Sequence, residues 1–543
     1  MNLQGFRNRT YSIILIAALL LTGKASAAHL LGDNAGIAPL TSFETSGELD
    51  FVATTTPTAF PESATGDASG DSEEFCYGPD PEDFPEGISP LSGLPMEDAS
   101  LLDLRPVFLS VSVFPPKARP PTGLSVSPIV YELYIGDGDT RLMAGFHGEF
   151  PQPSYEAAGG EEVDVPESFQ YLIGDRVWFD SNGNHLQDEG EPGVAGVPVR
   201  LLDINFNTVQ ETVTDASGHY YFALNDVAAN TEFQIRFGAL PSIGDYYWVN
   251  KDMGDDSLDS DVTSLGRTDF FDPTDAEVAE QLDFDAGVRQ AYRIEGVRSG
   301  RVAYQNLQVN YCGCLVIAGA DPSVAARINT CATAVNNNPN DIGGAGLDVM
   351  QLQAVAAGNS GGACAQPNLT GNLFCTSAPE GSAGQELYVE YNVNNINHFV
   401  YDAELGGYTW AKNIPSDNET YEVMTDRLNG ETLTFENVIV LLVRHTSQNT
   451  ANTIIDLDMD FKQGKAYIFR NGIAYEALWS TVAGEYEQET GLLRPVRFTD
   501  LEGNPFPLAH GQTWVNLLNA FDSVKEVEPG VWWADFDAPS YSP

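Results

Sequence analysis

The spacing of apolar and polar positions divides the chain into stretches of different character. "LRPVFLSVSVFPP" and "SPIVYELYIGDGDTRLMAGFHGEF" read as strands, with "GDGD" as a turn between two of them. From Ile173 to Val288 apolar and polar residues alternate in short runs broken by turn residues, as in "GVPVRLLD", "TVQETVTD", "GHYYFAL" and "EFQIRFG". A period of two with frequent turns predicts a β-sandwich. After Arg289, "LQVNYCGCLVIAGA" predicts a buried strand and "DPSVAARINTCATAV" a helix capped by Asp321. A Gly/Asn-rich stretch follows to about residue 386. The last third returns to strands, in "NVIVLLVRHT", "TIIDLDMDF", "GKAYIFRNG" and "IAYEALWST". The tail, 521–543, is acidic and is expected to be loose.

Two segments lack any such period. Residues 28–88 are rich in Thr, Ser, Pro, Gly and acids and predict a disordered acidic stalk. Residues 151–171 predict a shorter acidic linker. At the start, Arg7 and Arg9, the apolar "SIILIAALLL" and the small residues Ala25–Ala27 predict a signal peptide over 1–27. A secreted or cell-surface location follows, with no membrane span expected in the mature chain.

Composition adds a strong bias. Against 77 acidic residues stand 26 basic ones, a formal charge of −51. Such a chain repels nucleic-acid phosphate and attracts divalent cations. Six cysteines in an exported chain suggest disulfides. Cys364 and Cys375 flank a short Pro/Asn/Gly segment and form the expected pair. Cys312 and Cys314 are poorly placed to bond each other, which leaves Cys76 and Cys331 as their partners.

One loop carries recognisable chemistry. In "FDSNGNHLQDEGEPG", Asp180, Asn182, Asn184, Asp188 and Glu191 place side-chain oxygens at positions one, three, five, nine and twelve, with Leu186 at position seven to offer its carbonyl. That is the ligand schedule of a calcium loop. Position six, glycine in an EF-hand, is His185, and no helical pattern flanks the loop. The spacing alone allows a calcium site or a polar turn without an ion.

The surroundings add to this. "IGDRVWFDSNGNHLQDEGEPGVAGVPVRLLD", "VTDASGHYYFAL", "DMGDDSLDSDVTSLGRTDFF" and "LDFDAGV", in that order, resemble SdrD B-like domains, relatives of the Cna-B modules of bacterial surface proteins. The resemblance covers residues 172–288. It implies a calcium-binding β-sandwich that serves as a rigid spacer or presentation module. By position it implies Asp180, Asn182, Asn184, Leu186, Asp188 and Glu191 as one Ca2+ site. It makes Asp255, Asp256, Asp259 and Asp261 candidates for a second, with Asp175 and Asp252 as helpers.

The flanks resemble a second family. "SPLSGLPMEDASLLDLRPVFLSVSVFPPKARPPTGLSVSPIVYELYIGDGDTRLMAGFHGEF", "GVRSGR", "NHFVYDAELGGYTW", "GKAYIFRNGIAYEALW" and "FPLAHGQTWVNL" are similar to the YerB-like family of exported bacterial proteins, a domain of unknown function. Family members are commonly lipoproteins, and the lipid-carrying cysteine is absent here. The resemblance implies a mixed fold: an α+β host, split into 89–150, 293–400 and a β-rich 401–520, with the sandwich inserted. A sandwich whose ends lie close together suits such an insertion.

Within the host, Glu132, Arg141, Arg298 and Arg301 form a speculative ligand-binding group, since guanidinium forks suit carboxylates and phosphates. Arg119 lies in another matching block. A structural ion-pair network is the plainer reading. His147 and His445 are isolated, Trp410, Trp479 and Trp514 sit at core-like strand spacing, and no GxSxG, HExxH, P-loop or Cys-His pattern is present. The expected function is therefore recognition of a cell-wall, glycan or protein partner. The alternative is a cell-envelope enzyme acting on cell-wall or glycan material.

Overall fold

The computed structural model describes residues 75–541, apart from 97, 152–167, 182–183, 241–245, 255–256, 276–277, 279–281, 291–292, 337–344, 359–366, 416 and 492. The expected signal peptide and most of the expected stalk lie outside the described residues. So do Asn182, Asp255, Asp256 and Cys364. No helix among the described residues is long and apolar enough to cross a membrane.

Strands dominate, and the helical share is small. An 11-stranded mixed sheet runs through the centre. Its middle strands are apolar runs buried on both faces, such as Val107–Val111 and Asn437–Val443, as expected of strands covered on both sides. Ile129–Gly136 pairs parallel with Thr513–Asn519, which pairs parallel with Asn437–Val443. Segments almost four hundred residues apart in sequence thus share one hydrogen-bonded ladder, while 171–290 forms sheets of its own.

One face of the large sheet packs on a seven-stranded sheet. Leu387, Val389, Phe399, Tyr408 and Trp410 meet Val130, Leu142, Val438 and Trp514 there. In Glu386–Asn392 buried and half-buried residues alternate strictly, so that strand presents one face to this core. Tyr131, Leu133, Met143 and Val515 fill the opposite face, covered by Tyr304, Leu307 and Tyr311 of the short helical segment Ala303–Gln308 and the turn after it.

Residues 171–290 fold as a β-sandwich. One sheet orders Tyr246–Trp248, Ala286–Gln290, Tyr171–Phe179 and His219–Leu224; the other orders Thr208–Val213, Pro198–Asp203 and Phe233–Phe237. The core between them, which includes Ile173, Val177, Tyr220, Ile235 and Val288, is drawn from this module alone.

Several expectations need correction. The sandwich's ends do not lie together: its first and last strands pair parallel, Val177 with Ala286 and Phe179 with Val288. The chain enters at one end of a nine-residue strand and leaves at the other, about 30 Å away. The last strand leads within three residues to Arg293–Ile294, which pairs with the host strand Ala345–Asp348. Segment 147–170 is long enough to cover the gap from Phe146.

The tail is not loose. Ser523–Glu528 and Val531–Asp535 join the seven-stranded sheet, the latter parallel to Glu386–Asn392. The acids alternate with Val524 and Ala534, whose side chains reach the core. The expected stalk does not run to residue 88, because Cys76–Tyr77 pairs with Leu373–Cys375. Cys375 is bonded to Cys76, which overturns the Cys364–Cys375 pair. Neighbours across the sheet decided that pairing, and sequence proximity did not. Of the partners expected for Cys312 and Cys314, Cys331 bonds Cys314, but Cys76 is taken by Cys375 and serves neither; Cys312 is also disulfide-bonded. The helix after Asp321 is a single turn, Pro322–Ala325, and Thr330–Thr333 is a strand on the sheet edge. Pairing of that strand with Cys314–Ile317 overrides its alanine-rich helical propensity.

Candidate functional site

The first acidic loop begins where Tyr171–Phe179 ends. Asp180 is fully buried, donates its N–H to the Val288 carbonyl and lies beside the buried Arg289, with Nη1 to Oδ1 at 3.9 Å. Glu191 closes the ring. Its carboxylate accepts from the Ser181 N–H at 2.8 Å and the Asp188 N–H at 3.2 Å. Burial raises the Glu191 carboxyl above its ordinary range despite those bonds, with Asp180 and Asp188 adding repulsion. Asn184 donates to Asp188 at 2.7 Å and accepts from the Leu186 N–H at 2.9 Å. His185, the irregular position six, has φ 70°. It adopts the left-handed turn that glycine would supply, which histidine tolerates better than most residues.

The second loop lies against the first. The Gln187 N–H donates to the Leu258 carbonyl at 2.6 Å. Carboxylate oxygens of Asp252, Asp259 and Asp261 all fall within 4.8 Å of one another, with Asp259 and Asp261 buried. Asp259 Oδ1 has no hydrogen-bond partner.

A further carboxylate, Asp285, escaped the sequence reading. It is buried, accepts the Arg176 N–H at 3.0 Å, and leaves Oδ2 without a partner. Burial first, then Asp175 and Asp261, push it up to about 8. Its N–H donates to Asp261 Oδ2 at 2.7 Å, so Asp261 links both groups. A signal existed: an aspartate stands inside the apolar run "FDAGV", where a strand buries its side chains.

These donors suit a hard cation. They are all oxygens, several are desolvated, and two buried oxygens lack partners. Asp180, Asn184, Asp188 and Glu191 would hold one calcium ion, and Asp252, Asp259 and Asp261 a second. The ion's charge would relieve the carboxylate repulsion.

In the host the proposed Glu–Arg group separates. Across the hairpin, Glu132 pairs with Leu142, and Leu133 with Arg141. Alternation therefore sends Glu132 and Arg141 to opposite faces. Glu132 faces the core between the sheets, where it is fully buried. It accepts from Thr140 Oγ1 and Asn397 Nδ2, both at 2.6 Å, and from Lys412 Nζ at 3.2 Å. Lys412 is equally buried, and desolvation lowers it to about 8 even with Glu132 attracting its proton. It too was missed, although "YTWAK" places Tyr408, Trp410 and Lys412 on one strand face and thus marks an inward lysine.

Arg141 and Arg301 line a cavity of about 400 Å3 on the other face, with Asp137, Asp139 and Asp321. Burial first, with Arg301 and Arg298 adding to it against the pull of Tyr304 and Asp139, lowers the Arg141 guanidinium to about 10. Arg119 is elsewhere, donating to the carbonyls of Val113 and Asn413. His147 and His445 are buried, and burial lowers both to about 4. Trp410, Trp479 and Trp514 are core residues.

The comparisons with known proteins divide the chain in the same way. The family model of the SdrD B-like domain matches residues 171–288. The module is an SdrD B-like domain. The C-terminal domain of a protein family of unknown function, DUF3048, matches residues 387–515. Serine-aspartate repeat-containing protein F of Staphylococcus epidermidis is 44% identical over 73 residues, 13% of this chain and 4% of that protein. Serine-aspartate repeat-containing protein C of Staphylococcus aureus is 35% identical over 115 residues, 21% of this chain and 12% of that protein. The chain thus spans a small fraction of these relatives. Among solved structures, the YerB protein of Bacillus subtilis aligns with a TM-score of 0.42 at 15% identity, covering 79% of this chain and 96% of that one.

Proposed function

We propose that this is a secreted or cell-surface bacterial protein in which the SdrD B-like domain is a calcium-stiffened presentation module. Residues 89–150 and 293–520 are read as one split YerB-like host, which carries recognition of a ligand or partner. The observation that carries the calcium half is the convergence of Asp252, Asp259 and Asp261 beside the first loop, with Asp259 Oδ1 unpartnered. Unneutralised, such a cluster opposes folding.

The position of the loops adds to this reading. Asp180 and Arg289 sit at the end of the sandwich from which the chain returns to the host. Tyr247, pushed up to about 12 by burial first and then by Asp348 of the host, lies at the same end. An ion here would stiffen the joint as well as the module.

The enzymatic alternative needs Glu132 beside the arginines, and Glu132 is engaged by Lys412 on the other face. The test is a thermal melt of residues 28–543 in EDTA and in calcium. At a hundredfold excess over Kd, one site adds about 2.7 kcal/mol, a rise of roughly 5–10 °C. A melt indifferent to chelator would sink the calcium reading.

A further inference from the structure

The cavity bearing Arg141 and Arg301 lies where the turn of the hairpin Ile129–Phe146 meets the start of the helix Ala303–Gln308 and residues 449–455. Arg141 Nε and Nη1 are buried with no hydrogen-bond partner. Arg301 spends Nη1 on Ser299 Oγ at 2.8 Å and the Gly300 carbonyl at 3.2 Å, and its Nε has no partner. Neither makes an ion pair within 4.0 Å among the described residues. Other buried cations outside the module are engaged, Lys412 by Glu132, Arg470 by the carbonyls of Pro507 and Cys375, and Arg494 by Glu487, while Arg119 bonds through Nε and Nη1 and keeps only Nη2 without a partner. Arg141, with two buried nitrogens unpartnered beside a second, partly engaged guanidinium, therefore stands out in a chain with three acids for every base.

We propose that this cavity binds the carboxylate end of a small organic or peptide ligand, with Arg141 supplying the fork that grips it. The inference deepens the recognition half of the reading above and rests on it. Three features select a carboxylate. A guanidinium fork matches two coplanar oxygens. Asp137, Asp139 and Asp321 line the same cavity and repel a dianion such as phosphate more than a monoanion. The volume exceeds what a bare anion fills, and Ile135, Val302 and Ile454 give the remainder an apolar wall. The aspartates also suit a ligand with an amino group.

The test is calorimetric titration of residues 28–543 with N-acetylalanine, alanyl-alanine, alaninamide and inorganic phosphate, in calcium excess and again in EDTA. Both carboxylates should bind and alaninamide should not. Arg141→Gln should weaken binding about 10- to 100-fold, the range of a charge-assisted hydrogen bond. Arg141→Lys should fall between, because it keeps the charge and loses the fork. Without ligand, Arg141→Gln should melt no lower than wild type, since it removes a desolvated charge with two unpartnered nitrogens. A clearly lower melt would assign Arg141 a structural role and count against the site. No heat from either carboxylate up to about 10 mM, or equal binding to Arg141→Gln, would overturn the proposal. Tighter binding of phosphate would overturn the carboxylate assignment. A calcium-independent melt with intact carboxylate binding would remove the calcium reading alone, and the reverse result the pocket alone.

Discussion

Replacing Glu132 by Gln tests how the host holds its sheets together. The substitution keeps shape and an acceptor for Thr140, and removes the charge that faces Lys412. Both partners are almost inaccessible, at 0% and 1% exposed. The lysine is lowered from 10.5 to about 8, so keeping it charged costs about 3 kcal/mol even with its partner. Removing the partner should cost about 3–5 kcal/mol at pH 7.

The pH dependence has a fixed sign. Because the folded amine binds its proton less tightly than the unfolded one, stability rises with pH from about 8 to the unfolded value. In Glu132→Gln the amine falls further, so the rise begins nearer neutrality and the deficit narrows by pH 10. Adding Lys412→Met should recover most of the loss, as an apolar isostere replaces a stranded charge.

Urea unfolding in calcium excess, followed by tryptophan fluorescence, reads this directly. Trp410 and Trp514 lie 4.5 Å apart in the same core, and Lys412 Nζ stands 5.9 Å from the Trp410 ring. A loss below about 1 kcal/mol, the scale of an exposed pair, would refute the reasoning. So would a double variant no more stable than the single one.

Other outcomes follow from the same geometry. Asp259→Asn should shrink the calcium-dependent rise in melting temperature while leaving the EDTA melt equal or higher, because it removes a buried carboxylate from a repelling cluster. His185→Gly should keep the calcium response, whereas His185→Val should cost about 1–2 kcal/mol in calcium because a β-branched residue resists φ 70°; denaturant midpoints check both. Cys76→Ser opens a link across 299 residues. It should cost at most about 5 kcal/mol and lower the first melting transition, measured by calorimetry under oxidising conditions.

Local order was legible where one residue's pattern suffices. Alternation marked the sandwich, continuous apolar runs marked the central strands, and oxygen spacing marked the loop from Asp180 to Glu191. The tail misled because its acids are the outer half of an alternation whose inner half, Val524 and Ala534, was too short to notice. Cys375 misled because the nearer cysteine in sequence is not its neighbour across the sheet.

The sequence by itself determined most element types, the position of the acidic loops and the resemblance of separate segments to two families, because periodicity, ligand spacing and ordered motif blocks are local properties. Only the tertiary structure decided that Glu132 meets Lys412 and not the arginines. It also decided that Asp285 joins the carboxylates, and that the module's two ends lie about 30 Å apart. Each of these depends on register and on which strand lies beside which. A shift of one residue moves a side chain to the other face of a sheet, and no local pattern in the sequence fixes which distant strand becomes a neighbour.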